Sequence, residues 1–296
     1  MTAHRRLAAA ATVGILLLPA CSTTQPDTPD DAVTTTTAAL DRDPHPVTTP
    51  LPEADTAGMW LPLAFQDRRI IDPGWDTEVL HADGVFLGVS DLGDHVAFTA
   101  VDVHGEILWS AERPGGNTDF ELRTDDGSAI AVLPDNAPEA AATVSGFDLT
   151  TGEQVWGPEE SPGPGGTDTA EQTESARAAD GTHFDPGTGT RVTVQDTTLR
   201  AESADGSELW TLSVDADTQV AGLAGALLYL REGDAIRVHN VVTGAVAQAY
   251  DPEGQGRVVV PSMMGSQGAA VLLDGEHRLL AVAPEPSAAP GGPPDD

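Results

Sequence analysis

Four segments of this chain align on one glycine, and no other feature restricts the fold as strongly. They are AVDVHGEILW (100–109), GFDLTTGEQVW (146–156), AESADGSELW (201–210) and VHNVVTGAVAQ (238–248). In each, a short polar turn ends at Gly105, Gly152, Gly206 or Gly244. Four residues later stands Trp109, Trp156 or Trp210, with Gln248 in the last copy. The glycine supplies the positive φ that a tight turn requires, and alternating apolar residues on each side predict a β-hairpin. The glycines are 47, 54 and 38 residues apart. Further strand pairs precede the hairpins, as at Val85–Val89 with Val96–Phe98 and at Ala226–Leu230 with Ala235–Val238. Helical periodicity does not persist for three turns anywhere in 58–284, so the chain reads as all-β.

A period of about 40 residues suits a four-stranded propeller blade. Polar stretches at 134–142 and 157–180 absorb the excess as loops. The expected fold is therefore a β-propeller over 58–284 with about five four-stranded blades, within a range of four to seven. Ring closure would pair the N- and C-terminal strands, because an open ring exposes strand edges. Residues 59–65 are expected to pair with 278–283, which would put Trp60 in the position held by Trp109, Trp156 and Trp210.

Asp148, Thr151, Gly152 and Trp156 form Asp-x-x-Thr-Gly-x-x-x-Trp. This motif resembles the tryptophan-docking repeat of quinoprotein-like (pyrroloquinoline quinone-like) propellers. The copy at Gly105 has its acid one residue closer, as Asp102. The copy at Gly206 has Glu202 and Asp205, and the copy at Gly244 keeps Asn240 and Thr243 without the tryptophan. The resemblance covers roughly 79–283. It implies that each indole fills the space between adjacent blades while its N–H meets a carbonyl. Trp60, Trp109, Trp156, Trp210 and the four glycines are thus structural docking residues. The resemblance speaks to architecture and not to function. Quinoprotein dehydrogenases use eight blades, a calcium site and commonly a disulfide of adjacent cysteines. This chain has room for about five blades and carries a single cysteine, so no quinone or other cofactor is expected.

That cysteine, Cys21, follows Leu18-Pro19-Ala20. Before it lie a basic start (His4, Arg5, Arg6) and a twelve-residue apolar run, Leu7 to Leu18. The run is too short to span a bilayer, which takes roughly 20 helical residues, and has the layout of an export signal. The site resembles the lipobox of bacterial lipoproteins, which implies a signal peptide at 1–20 and lipidation of Cys21. Residues 21–57 are rich in Thr, Pro and Asp and read as a disordered tether, reaching about 30–36 Å root-mean-square. Residues 285–296 read as a disordered tail. With one cysteine the chain has no intramolecular disulfide, zinc ribbon or Fe–S cluster.

The chain has no lysine, and 14 arginines face 47 acidic residues, for a net charge of −33. Phosphate backbones and anionic headgroups require the opposite sign, so nucleic acid is not an expected partner and membrane attachment rests on the lipid alone. Signatures of nucleotide loops, serine-nucleophile elbows, zinc helices and calcium loops are all missing. The histidines are not paired at metal-ligand spacing. Asp125-Asp126-Gly127 and Asp215-Ala216-Asp217 read as turn residues, not as metal ligands. The expected function is a non-catalytic, extracytoplasmic module that binds or scaffolds an envelope protein. The runner-up is a small-ligand or glycan sensor using the central funnel, and third is a hydrolase whose residues converge only on folding.

Overall fold

The computed structural model describes residues 40–116, 118–135, 143–160 and 181–284. The signal segment, Cys21, the first part of the expected tether, residues 161–180 of the expected loop and the tail at 285–296 lie outside the described residues. β1 (Met59–Trp60) and β2 (Ile70–Trp75) come first, separated by a single 3-10 turn at Leu63–Phe65. β3 (Leu80–Ala82), β4 (Val85–Asp91), β5 (His95–Asp102) and β6 (Ile107–Pro114) form sheet I. β7 (Glu121–Asp125), β8 (Ser128–Pro134), β9 (Thr143–Asp148) and β10 (Gln154–Glu160) form sheet II. β11 (Thr182–Asp185), β12 (Thr190–Gln195), β13 (Thr198–Glu202) and β14 (Glu208–Ser213) form sheet III. Sheet IV holds β15 (Gln219–Ala224), β16 (Leu227–Glu232) and β17 (Ala235–Asn240), and a bridge from His239 to Val246 begins a fourth strand. β18 (Arg257–Val258) pairs in parallel with β1. β19 (Val260–Met264), β20 (Ala270–Asp274) and β21 (His277–Ala281) form sheet V, whose outer strand is β2.

The chain is thus all-β, built from antiparallel sheets that are mostly four-stranded, the material from which a propeller is made. Its turns follow from local chemistry. Asp83-Gly84 joins β3 to β4, and Asp126-Gly127 joins β7 to β8. All four residues have positive φ, as a two-residue type I′ hairpin demands. The carboxylates flagged at 125–126 are therefore hairpin residues.

Apolar faces of neighbouring sheets close on one another. Leu87, Phe98, Trp109, Leu133, Phe147 and Leu149 join sheets I and II. Ile71, Trp75, Phe86, Met263 and Leu280 join V and I. Val192, Leu199, Leu228 and Val241 join III and IV, and Tyr229, Tyr250 and Val260 join IV and V. Among the described residues no such cluster joins sheets II and III.

Two sequence expectations are corrected. The strand that pairs with β21 is Ile70–Trp75, through Ile70↔Ala281 and Ile71↔Leu280, and not residues 59–65. Pro62 lacks an N–H and opens the 3-10 turn, so 59–65 cannot continue as a strand. β1 ends at Trp60 and pairs with β18 instead. The described part of the tether is not free either. Ser110 and His45 exchange backbone hydrogen bonds of 3.0 Å, and Glu112 N–H donates to Asp41 O at 2.7 Å, which covers the outer edge of sheet I. Asp72 N–H donates to Pro52 O and Ala54 N–H to Ile70 O, both at 2.9 Å, which covers the outer edge of sheet V. Exposed edges recruit other chains, and this segment satisfies two of them.

Candidate functional site at the junctions between sheets

The glycine turns are built by one carboxylate or amide oxygen accepting several donors. At Asp148, Oδ1 accepts the N–H groups of Thr150 (3.0 Å) and Thr151 (2.9 Å) and both hydroxyls, at 2.7 and 3.0 Å. Partial burial pushes that carboxyl up, but the four hydrogen bonds outweigh it and hold it below the ordinary carboxylate value. Asn240 repeats the arrangement with Val242 and Thr243. An amide oxygen serves there because the turn needs an acceptor, not a charge. Gly152 N–H returns to Asp148 O and Gly244 N–H to Asn240 O, each across four residues. The turns at Gly105 and Gly206 are one residue tighter, closing on Asp102 O and Ser203 O.

These turns receive the preceding sheet. Trp109, fully buried, donates from Nε1 to Leu149 O at 2.8 Å, and its ring lies against Gly152, where a Cβ would sit 3.0 Å from it. Trp210 repeats this, with Nε1 donating to Val241 O at 2.7 Å and the ring 2.9 Å from a Cβ at Gly244. The accepting carbonyl belongs in both cases to the residue after the capping Asp or Asn. At the junction of sheets V and I the same carbonyl, Val103 O, accepts Ala283 N–H at 2.7 Å, and Ile71 with Val282 occupies the space over Gly105. The indole is replaced there by a backbone donor and two aliphatic side chains.

Trp156 and Trp60 depart from the series. A Cβ at Gly206 would meet nothing within 4 Å, and Ser203 O accepts its own turn's Gly206 N–H. Trp156 is half-buried and lies over Gly146 of its own sheet, with the Arg123 guanidinium 5.9 Å from its ring. The cause is local. Trp109 pairs with Ala100 and Trp210 with Ala201, but Trp156 pairs with Gly146, and bulges flank it on both sides. Bulges re-aim a side chain, and the missing Cβ gives the ring room to fold back. Trp60 sits between Gly254 and Tyr250, with ring centroids 5.1 Å apart from the latter, and its Nε1 is buried without a partner. At that junction of sheets IV and V the bond to a carbonyl is made by Tyr250, whose hydroxyl donates to Val259 O at 2.8 Å.

Two side chains and one turn that matter carry no signal in the repeat. Trp75 is 1% exposed, under Gly88 of β4. Asp185, Thr188 and Gly189 form another Asp-x-x-Thr-Gly turn, legible in FDPGTG but without a following tryptophan. Arg113 is buried, donating to Pro134 O and Arg42 O, and so clamps the N-terminal segment onto sheet II. Burial pushes its guanidinium down against the raising influence of Asp135.

Two clefts lie on the described surface. One of about 400 Å³ lies beside Arg113, bounded by Asp135, Ser145 and Gln154. The other, of about 610 Å³, is walled by Leu63, Asp67, Arg68, Arg69, His104 and Pro284. Among the described residues no three His, Cys, Asp or Glu side chains converge to hold a metal ion.

No family model and no curated protein matches the chain. Solved structures similar to it include a europium-containing methanol dehydrogenase, at 15% identity over 58% of this chain and 40% of that one, with a TM-score of 0.21. A Bacteroides caccae protein of unknown function matches at 14% identity over 69% of this chain and 72% of the other, with a TM-score of 0.23. The tail fiber of Staphylococcus aureus phage P68 matches at 14% identity over 74% and 52%, with a TM-score of 0.29. The chain thus spans less than two thirds of the dehydrogenase and of the fiber. Likeness at this level assigns neither a family nor an activity.

Proposed function

We propose that sheets I–V are the blades of a five-bladed propeller closed by β2, and that this domain is a non-catalytic module for binding an envelope protein, held outside the cytoplasm by lipid on Cys21. The pairing of β2 with β21 supports closure, since it joins the start of the domain to its end. The observation that carries the binding role is β10. Residues 40–57 cover the outer edges of sheets I and V, whereas among the described residues no segment covers β10. The same strand carries Trp156, undocked, beside Val155 at 48% exposure. An open strand edge with an adjacent apolar anchor is the arrangement by which an extended partner segment adds to a sheet. Aromatic residues anchor protein interfaces more than other types do.

Crosslinking of the lipidated protein in its own envelope tests this. The wild type should capture one discrete stoichiometric partner through residues of β10. Trp156→Ala should lose that partner while keeping the folded domain. Equal capture by the variant, or no discrete partner, would refute the proposal.

A further inference from the structure

The 610 Å³ cleft combines arginines with apolar walls. On a chain of net charge −33 it gathers two consecutive arginines, Arg68 and Arg69. Both are held by carbonyls. Arg68 donates from one guanidinium nitrogen to Gly268 O at 3.2 Å and Val282 O at 3.3 Å, and lies 5.9 Å from the Phe65 ring centre. Arg69 donates to His104 O. Carbonyls fix the position of a guanidinium without neutralising it. Among the described arginines, Arg123, Arg200, Arg237 and Arg257 meet carboxylates, whereas Arg42, Arg113 and Arg278, like Arg68 and Arg69, donate to carbonyls. Among the described residues neither Arg68 nor Arg69 has a carboxylate within ion-pairing distance, although Asp67 also borders the cleft. Each guanidinium has five donors, so both keep donors to spare.

Apart from Asp67 and His104 the remaining walls are apolar: Leu63, Ala64, Val282, Ala283 and Pro284, with Leu63 46% exposed. An exposed leucine next to two held, unneutralised guanidinium groups matches a molecule that is anionic at one end and apolar at the other. The volume lies within the range of small-molecule sites, about 300–1,000 Å³. Planar guanidinium forks fit carboxylates, and a cleft already lined with carbonyl-bound arginines loses little freedom on binding one. We infer that this cleft binds a small organic carboxylate, its head on Arg68 and Arg69 and its apolar part on Leu63, Val282 and Pro284. The site lies away from β10 and does not depend on the partner reading.

Hexanoate is the probe, with hexanol and inorganic phosphate as controls, titrated into isotopically labelled protein. Hexanoate should shift the amide signals of Leu63, Arg69, His104 and Val282 saturably, and hexanol and phosphate should each bind at least tenfold more weakly. Arg69→Gln should weaken hexanoate at least tenfold, and Arg69→Lys should restore part of the loss. No saturable shift, phosphate binding as tight as hexanoate, or equal affinity in Arg69→Gln would overturn the assignment. If Arg69→Gln failed to fold, the comparison of hexanoate with hexanol on the wild type would still decide it.

Discussion

Replacing each tryptophan with alanine should separate the docked indoles from the undocked one. Trp109 is fully buried among Phe98, Leu133 and Leu149, and its N–H satisfies the buried Leu149 carbonyl. Truncating a buried tryptophan costs about 3–5 kcal/mol. For a domain of this size each kcal/mol moves the melting midpoint by about 2–4 °C, so Trp109→Ala should lower Tm by roughly 6–20 °C. Trp75→Ala should cost a similar amount, since Trp75 is equally enclosed and ties β2 to β4. Trp156→Ala should cost only about 1–2 kcal/mol, the loss of a half-buried ring and one Arg123 contact. Phenylalanine sharpens the test. Trp109→Phe strands the Leu149 carbonyl, which costs about 1–3 kcal/mol, whereas Trp75→Phe removes an Nε1 that is already buried without a partner. Trp75→Phe should therefore be the milder of the two. The assay is thermal and urea unfolding followed by circular dichroism. Trp156→Ala as damaging as Trp109→Ala, or Trp75→Phe worse than Trp109→Phe, would refute the reasoning.

The glycine turns offer a matched pair. Gly152 and Gly206 both have positive φ, so alanine meets the same backbone cost of about 1–2 kcal/mol at each. Only Gly152→Ala also drives a Cβ to 2.9 Å from Pro44 and 3.0 Å from Trp109, so in urea unfolding it should cost at least about 1 kcal/mol more than Gly206→Ala. Burial holds the His81 imidazole below its ordinary value, against the raising influence of Asp83. The unfolded chain takes up that proton nearer pH 6.5, so stability is full above about 6.5 and declines as pH falls towards the depressed folded value. His81→Gln should flatten that decline between pH 7.5 and 5.5, and an unchanged slope would eliminate His81 as its source. Mass spectrometry of the mature N-terminal peptide should find a lipid-modified Cys21, and an unmodified start at another residue would refute the tether.

The sequence made the hairpins legible because their chemistry is local. A capping Asp or Asn, a Thr and a glycine of positive φ lie within five residues of one another, and the structure builds Gly152 and Gly244 from those groups. The β-class was legible for the same reason: alternation and Asp-Gly pairs act over a few residues. What failed depends on distant partners. Residues 59–65 look like a closing strand until Pro62 is weighed against Ile70 and Ile71, which offer an uninterrupted apolar pair to β21. The fate of Trp156 turned on its cross-strand neighbour. Gly146 was printed within the same repeat segment, but its pairing with Trp156 is a matter of register, and the bulges that set it cannot be counted from spacing. Composition makes 21–57 a tether, and composition does not report that His45 and Pro52 within it meet sheet edges.

The undocked indole of Trp156 need not weaken the proposed ring. A closed ring of five sheets has five junctions, and four are enough to link every sheet in a continuous arc. Here the arc runs from sheet III through IV, V and I to II, with buried clusters at each step. Among the described residues sheets II and III share no buried cluster, and a Cβ at Gly206 would meet nothing within 4 Å. Trp109 and Trp210 belong to the clusters of that arc, whereas Trp156 belongs to none of them. Among the described residues the N-terminal segment covers the edges of sheets V and I, inside the arc. Exposure and an edge that no described segment covers thus coincide at Val155, Trp156 and β10, where the proposed partner would add.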